Sequence, residues 1–194
     1  EIDYTIRYSL YMNMRTKSPR RLPKSGWIEI GYSALKEAGA HALTVETLCA
    51  RAGRSKGSFY FHFDAIEDFA MQLVSLWADR FGDKITQSLR RKVARHEPVG
   101  LNDLAARLDP SLELGIRSLA GRLPKAAEQV AEVDRQRLDL LRAGLTTQFD
   151  DEDAEALATV EYAAYIGLLH LDHAVEMEKR QALYARFLSI TGRY

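Results

Sequence analysis

Apolar residues recur every three or four positions through most of the chain, and this spacing predicts helices rather than strands. The first clear repeat runs from Trp27 to Ala38, and Gly39 follows at a position that favours a left-handed C-cap. Only residues 1–11 alternate with a period of two, and no second segment offers them a partner strand. We therefore predict an all-α fold in which residues 1–24 are an extension and basic arm, expected to be flexible.

Two short helical repeats follow in the stretch TVETLCARAGRSKGSFYFHF. Thr44 is placed to cap the first of them, and Cys49 falls on its buried face. Gly53 ends that repeat, and Ser55 is placed to cap a third helix that reaches about His62. A helix of about five to seven residues needs support from its neighbours. Two helices joined by a tight glycine turn form a helix-turn-helix, which presents the start of its second helix to the major groove of DNA.

The remainder of the chain keeps the helical spacing, interrupted at prolines that favour helix starts and stops. The predicted spans are 64–95 with a bend near Gly82, then 101–108, 111–122, 124–148, 153–175 and 178–191. We expect a helix-turn-helix DNA-binding domain over residues 25–63. Residues 64–194 are expected to form a helical domain that binds an effector and makes the dimer.

The penultimate predicted helix is apolar on more than half of its surface. One stripe consists of Leu157, Val160, Ala164, Leu168 and Leu171, and a second consists of Ala158, Tyr162, Tyr165 and Leu169. A helix with so wide an apolar surface needs two partners, one inside the subunit and one outside it. We therefore expect a homodimer formed by the last two helices. The alternative is a helix buried wholly within one chain.

The charge is balanced over the 194 residues but unevenly distributed. Through Phe63 there are ten Lys and Arg against five Asp and Glu, whereas from Asp64 onward there are 17 against 22. Unless it is chance, this asymmetry indicates a module for a polyanion joined to one with a different role. No apolar run approaches the roughly 18 residues of a membrane span, so we expect a cytoplasmic protein without a membrane partner. The lone Cys49 excludes an internal disulfide.

The stretch quoted above resembles the DNA-binding signature of the TetR family of bacterial transcriptional regulators. The matching residues are Thr44, Ala52, Gly53, Ser55, Gly57, Ser58, Tyr60, His62 and Phe63. The resemblance is close over about residues 27–81 and is limited to the helical layout beyond them. It implies a homodimer with a three-helix DNA-binding head, a long connecting helix, and a C-terminal bundle that holds an effector pocket and the dimer interface.

The resemblance also implies which residues contact a double-stranded DNA operator. The expected contacts are Thr44, Arg54, Ser55, Lys56, Gly57, Ser58, Tyr60 and His62. The chain departs from the family pattern twice, because Arg54 replaces the usual apolar residue and the segment FDAIED lacks a lysine that many members carry. The basic arm between Arg15 and Lys24 is placed to compensate by following the minor groove.

An unidentified small-molecule effector is expected where inward aromatic residues of the connecting helix meet the bundle. The candidate pocket residues are Trp77, Phe81, Arg117, Tyr162, Tyr165 and His170, each of which could equally be plain core. Arg117 stands in an otherwise apolar segment. If it is buried and unpaired, an acidic effector is the better hypothesis.

Other chemistry has little support in the sequence. His170 and His173 have a spacing that can hold a metal ion, but no third ligand is apparent, so no metal and no cofactor are expected. No nucleophile elbow, phosphate loop or carboxylate pair indicates an enzyme. The sequence predicts a ligand-responsive transcriptional regulator, expected to be a repressor that an effector releases from a palindromic operator. The alternatives are a DNA-binding activator or architectural protein without effector control, and a helical-bundle ligand carrier or enzyme.

Overall fold

The computed structural model describes residues 21–80, 86–97, 99–171 and 177–190. These residues form α-helices joined by turns and contain no β-strand, which confirms the all-α prediction. The helices are α1 (Lys24–Ala38), α2 (Val45–Ala52), α3 (Lys56–Tyr60), α4 (Ile66–Arg80), α5 (Thr86–Ala94), α6 (Leu101–Ala105), α7 (Pro110–Ala120), α8 (Pro124–Leu145), α9 (Asp151–Leu171) and α10 (Met177–Ile190). A 3-10 turn at Ala40–Ala42 lies between α1 and α2.

The helix-turn-helix forms where the local capping signals predict it. The backbone N–H of Thr47 donates to Oγ1 of Thr44 at 3.1 Å, which caps α2. Gly53 ends that helix with φ 59° and ψ 41°, a left-handed conformation that favours glycine. The N–H of Ser58 donates to Oγ of Ser55 at 3.4 Å and caps α3. The turn between the two helices is therefore fixed at both ends.

An aromatic core holds the five-residue helix α3 in place. Phe59 is fully buried, and its ring meets Trp27 of α1 at a centroid distance of 5.4 Å and Phe69 of α4 at 5.5 Å. Phe63 packs beside it at 5.1 Å. Cys49 is buried on α2, as predicted. Because α3 is too short to be stable alone, these contacts rather than its own hydrogen bonds keep it helical.

Helix α4 is attached tightly to α1. The hydroxyl of Tyr32 donates to the backbone carbonyl of Leu73 at 3.0 Å, and burial raises the pKa of Tyr32 to about 12. Gly31 lets the two helices approach, since a Cβ there would lie 2.6 Å from Cζ of Phe69. The connecting helix α4 is therefore packed directly on α1, the first of the three helices (α1 to α3) called the head below.

The head also contacts the C-terminal helices through α7. A Cβ on Gly115 would lie 2.8 Å from the carbonyl oxygen of Leu35, so the two backbones touch at this crossing. The hydroxyl of Ser118 accepts from the N–H of Ala40 at 2.9 Å and donates to the carbonyl of Gly115 at 2.7 Å. The 3-10 turn of the head is thus hydrogen-bonded to a helix of the bundle.

Several predicted helix details are wrong. Helix α4 begins at Ile66 rather than Asp64, α3 ends at Tyr60, and Gly39 has φ 71° with ψ −166°, outside the left-handed helical region. The helical spacing also predicts Leu76 on the inner face of α4 beside Leu73 and Trp77, but the structure leaves Leu76 42% exposed. The predicted bend near Gly82 lies outside the described residues.

Helix α9 begins at Asp151, two residues before its predicted start. The reason is local, because the carboxylate of Asp150 accepts the backbone N–H of Asp153 at 2.9 Å. Asp151, Glu152 and Asp153 in the first turn also complement the positive end of the helix dipole. Asp150 caps the helix directly.

Candidate functional site

The start of α3 lies on the surface of the head and presents the predicted DNA contacts there. Ser55, Lys56 and Gly57 are exposed, and Ser58 is half-buried. Tyr60 is 52% exposed at the other end of the same short helix. Since Phe59 is directed into the core, the side chains on either side of it are directed outward. The structure thus places most of the predicted DNA contacts on one small surface, and their contact with DNA stays a prediction.

Lys56 and Thr44 connect this surface to α2. Lys56 forms an ion pair with Glu46, and both side chains are largely exposed. The hydrogen bond with Glu46 raises the pKa of Lys56, and the same bond lowers the pKa of the Glu46 carboxyl. Exposed pairs of this kind are weak in water, so a DNA phosphate can replace the carboxylate. Thr44 is exposed at the start of α2.

Arg54 and His62 lie at the edges of the surface and make contacts within the chain. Nη1 of Arg54 donates to the carbonyl of Gly53 at 3.2 Å. Nε2 of His62 lies 3.0 Å from the carbonyl oxygen of Leu22, and the ring is half-buried. Because a carbonyl only accepts, Nε2 carries the hydrogen of this bond. His62 therefore binds the segment that precedes α1, a contact that the motif did not predict.

Phe61, which the sequence did not single out, also lies at this surface, and Arg21 of the predicted basic arm lies beside it. Phe61 is 59% exposed although its neighbours Phe59 and Phe63 are buried. The guanidinium carbon of Arg21 lies 4.1 Å from the centroid of the Phe61 ring. The aromatic run FYFHF was the available signal, but spacing alone does not show which of its rings faces solvent.

A cluster of buried charged residues lies in the bundle. Nη1 and Nη2 of Arg137 donate to the two carboxylate oxygens of Glu113 at 2.6 and 3.0 Å. Arg117 makes a second two-pronged pair with Asp134, at 3.0 and 2.6 Å. The hydroxyl of Tyr162 donates to Asp134 at 2.6 Å. These five residues, called the buried polar cluster below, come from α7, α8 and α9. The cluster therefore joins three helices.

The hydrogen bonds of the buried polar cluster favour the ionised form of Asp134. Burial opposes the charge on Asp134, but hydrogen bonds from Arg117 and Tyr162 outweigh that effect and hold its pKa below the ordinary value. Burial raises the pKa of the Tyr162 hydroxyl, so this group stays a donor. Asp134 is thus held as an anion by Arg117 and Tyr162.

The structure brings part of the predicted effector pocket together at the buried polar cluster. The guanidinium carbon of Arg137 lies 5.3 Å from the Trp77 ring, and the Tyr162 and Tyr165 rings stack with centroids 6.2 Å apart. The hydroxyl of Tyr165 is buried, and no hydrogen-bond partner for it lies among the described residues. Arg117 is half-buried and is paired with Glu113 and Asp134, so the hypothesis of an acidic effector, which required an unpaired buried Arg117, does not apply.

The remaining pocket candidates lie elsewhere. His170 is exposed and lines, together with Arg117 and Ser118, a cleft of about 870 Å³ between the head and the bundle. Phe81 lies outside the described residues, as does His173 of the metal alternative. Within the described part of the chain, no group of three or more His, Cys, Asp or Glu side chains is arranged to hold a metal ion.

The two apolar stripes of α9 have different surroundings. Tyr162, Tyr165 and their stripe are buried, whereas Val160 is 54% and Leu171 is 81% exposed on the other stripe. Every side chain of α10 whose position is described is exposed, including Leu183 and Phe187. Exposed apolar residues grouped on two helices are typical of a protein interface. Val160 and Leu171 of this outer stripe are thus exposed in the described part of the subunit. The other three members, Leu157, Ala164 and Leu168, are half-buried.

The fold and the exposed start of α3 together define a helix-turn-helix protein of the DNA-binding class. Residues 29–72 match the family model described as bacterial regulatory proteins, tetR family. This match confirms the TetR resemblance of the sequence and places a DNA-binding regulatory domain in the N-terminal part of the chain. No curated protein matches the chain. No helix in the described ranges is long and apolar enough to cross a membrane.

Solved structures share the helical fold over most of the chain. A transcriptional regulator from Saccharomonospora viridis, solved in complex with choline, has a TM-score of 0.59 and 17% identity over 84% of this chain and 93% of its own. A transcriptional regulator of the TerR/AcrR family from Aquifex aeolicus VF5 has a TM-score of 0.53 and 18% identity over 85% of this chain and 96% of its own. At these identities the likeness establishes the fold alone.

Proposed function

We propose that this protein is a homodimeric transcriptional repressor that a small molecule releases from a near-palindromic operator. The observation that carries the proposal is the exposed start of α3, held on an aromatic core within a segment that matches the TetR family model. The proposed domains are residues 25–63 for DNA binding and 64–194 for the effector and the dimer, with residues 1–24 as the arm. A protein of this kind regulates transcription and is not an enzyme.

Dimerisation supplies the second half of the operator contact. The outer stripe of α9 and the exposed side chains of α10 support an interface between two copies of the chain. A two-fold axis through that interface repeats the head, so the two α3 helices would enter major grooves about 34–36 Å apart. The operator is then expected to have two similar half-sites with opposite orientation.

Release by an effector requires a physical connection between the bundle and the head. Arg117, a member of the buried polar cluster, is followed on α7 by Ser118, whose hydroxyl accepts from Ala40 in the head. A ligand that rearranges this cluster would therefore shift α7 against α1. Such a ligand would lower DNA affinity if it binds more tightly to the arrangement in which the spacing of the two heads does not match the operator. The loss of DNA affinity cannot exceed this difference in ligand affinity.

The effector is proposed to bind beside Trp77, Tyr162 and Tyr165. Choline is the first compound to test, because it is bound in the Saccharomonospora viridis regulator. In this chain the guanidinium of Arg137 already covers the Trp77 ring, so a quaternary ammonium would have to displace it or use a tyrosine ring. An uncharged compound that accepts a hydrogen bond from the buried Tyr165 hydroxyl would not compete with Arg137 for the Trp77 ring.

The test begins with selection of bound duplexes from a random library at fixed salt, followed by affinity measurements on the selected sequence. We expect a preference of about 10³-fold or more over random competitor and a site with two inverted halves. Choline and neutral aromatic compounds are then added to the complex, and an effector should weaken binding at least about fivefold. Absence of any duplex preference would contradict the proposal. A reporter that rises with the protein would instead indicate an activator.

A further inference from the structure

Phe61 is an unusual residue to expose at the end of the helix-turn-helix. Its side chain is 59% accessible, whereas Phe59 and Phe63 on either side are buried. Large exposed aromatic rings that no core requires are commonly part of a binding surface. The ring is not bare, because the guanidinium of Arg21 lies 4.1 Å from its centroid. At that distance a cation is attracted to the face of the ring.

The short segment that carries Arg21 is attached at a second point. Nε2 of His62 donates to the carbonyl of Leu22 at 3.0 Å, and the His62 ring also packs against Phe61 at 4.9 Å between centroids. Lys24 lies over the Phe63 ring at 5.4 Å, at the first residue of α1. Residues 21–24 are thus fixed to the residues that follow α3 by contacts with three consecutive side chains, Phe61 to Phe63.

This attachment brings Arg21 to the edge of the predicted DNA-binding surface. A notch of about 340 Å³ lies there, lined by Arg21, Arg54, Ser55, Gly57, Ser58 and Phe61. Two arginines and two hydroxyl side chains therefore border one concave surface without a carboxylate among them. A charged oxygen of the DNA backbone is the ligand that such a lining favours.

We infer that Arg21 binds the DNA backbone and that Phe61 and His62 are positioning residues for it. A guanidinium that stacks on a ring keeps the N–H groups along its edge free to donate to a phosphate. Holding the side chain in place beforehand reduces the conformational entropy lost when DNA binds. His62 then acts indirectly. It holds Leu22, and with it the neighbouring Arg21, in place and does not contact DNA itself. This inference rests on the proposed DNA-binding function.

The experiment is a double-mutant cycle on DNA affinity, using the duplex selected from the random library. Arg21→Gln, Phe61→Leu and the double variant are compared with the wild type at several salt concentrations. We expect each single change to weaken binding about three- to tenfold and to lower the slope of log affinity against log salt by about one. The double variant should be no weaker than Arg21→Gln alone. Phe61→Tyr keeps the ring and should bind as the wild type does.

His62 is tested by rescue. His62→Ala should weaken binding and lower the salt slope in the direction of Arg21→Gln, whereas His62→Gln, which keeps a side-chain donor, should restore part of both. Thermal unfolding of each variant shows that the head remains folded. Additive losses in the cycle, or an unchanged salt slope in Arg21→Gln, would overturn the inference while leaving the proposed function intact. If the wild type itself prefers no duplex, the proposed function fails first.

Discussion

At the scale of single residues, the ion pair between Arg137 and Glu113 is the most deeply buried charged contact of the buried polar cluster. Their side chains are 0% and 1% exposed, and two hydrogen bonds join them. Burial of both charges is costly, and the pair balances that cost only while both members are present. Removing either leaves the other buried with fewer partners, such as Arg117 for Glu113 and Tyr162 for Arg137. The two residues lie 24 positions apart on different helices, so no sequence pattern indicated that they pair.

The pair leads to a prediction on stability. Arg137→Ala should lower the free energy of unfolding by about 3–5 kcal/mol, because the buried Glu113 would lose its two-pronged partner and keep only Arg117 among the described residues. Arg135→Ala is the matched control on the same helix. Its ion pair with Glu132 is exposed, so we expect a change of about 0–1 kcal/mol. Denaturant titrations of the two variants provide the comparison, and equal losses would show that the buried pair has no special role.

At the scale of helices, the crossing of α7 over α1 connects the head to the bundle. Gly115 makes the crossing possible, since any Cβ there would lie within 3.0 Å of the Leu35 backbone. The sequence marked this segment only as an apolar helix with one arginine. Which of its residues meets α1 depends on how the two helices cross, and this is set by the packing of the whole chain.

Substitution of that glycine should separate the two helices. Gly115→Ala is expected to destabilise the protein by about 1–3 kcal/mol through overpacking, against the usual gain of alanine within a helix. Ser111→Ala, at an exposed position of the same helix, should change stability by less than about 0.5 kcal/mol. Thermal unfolding measures both. If Gly115→Ala proves as stable as the wild type, the crossing is looser than the backbone distance indicates.

At the scale of the whole molecule, the exposed stripe of α9 determines the expected assembly. Val160 and Leu171 project from the side of α9 that its own bundle does not cover. Apolar surface on a helix is stable when a partner removes it from water. We propose a second copy of the chain as that partner, because a two-fold pair would match the symmetry of a palindromic operator.

A charge placed on this stripe should prevent the assembly. Val160→Lys is expected to convert the dimer into a monomer, because the lysine would have to be buried at the interface. Thr159→Lys, on a different and exposed side of the same helix, should remain a dimer. Sedimentation velocity distinguishes the two states. A wild type that sediments as a monomer would refute the interface.

Much of the fold was determined by local sequence. Thr44, Gly53 and Ser55 have the caps and the turn that their residue types favour, because these interactions span three or four residues and need no distant partner. The repeating apolar residues likewise predicted the helices and the two stripes of α9, whereas the structure shows which stripe is buried. The family signature in Thr44–Phe63 predicted DNA contacts, and the structure places most of those residues on one exposed surface.

Only the tertiary structure decided which distant side chains meet. Arg117 was proposed as a partner for an effector, but Asp134 and Glu113 occupy it because α7 and α8 are packed side by side. His62 was expected to face DNA, yet it binds Leu22, forty residues earlier in the chain. Pairings of this kind depend on the relative position of whole helices. The sequence therefore predicted the helices, whereas only the structure showed which side chains meet between them.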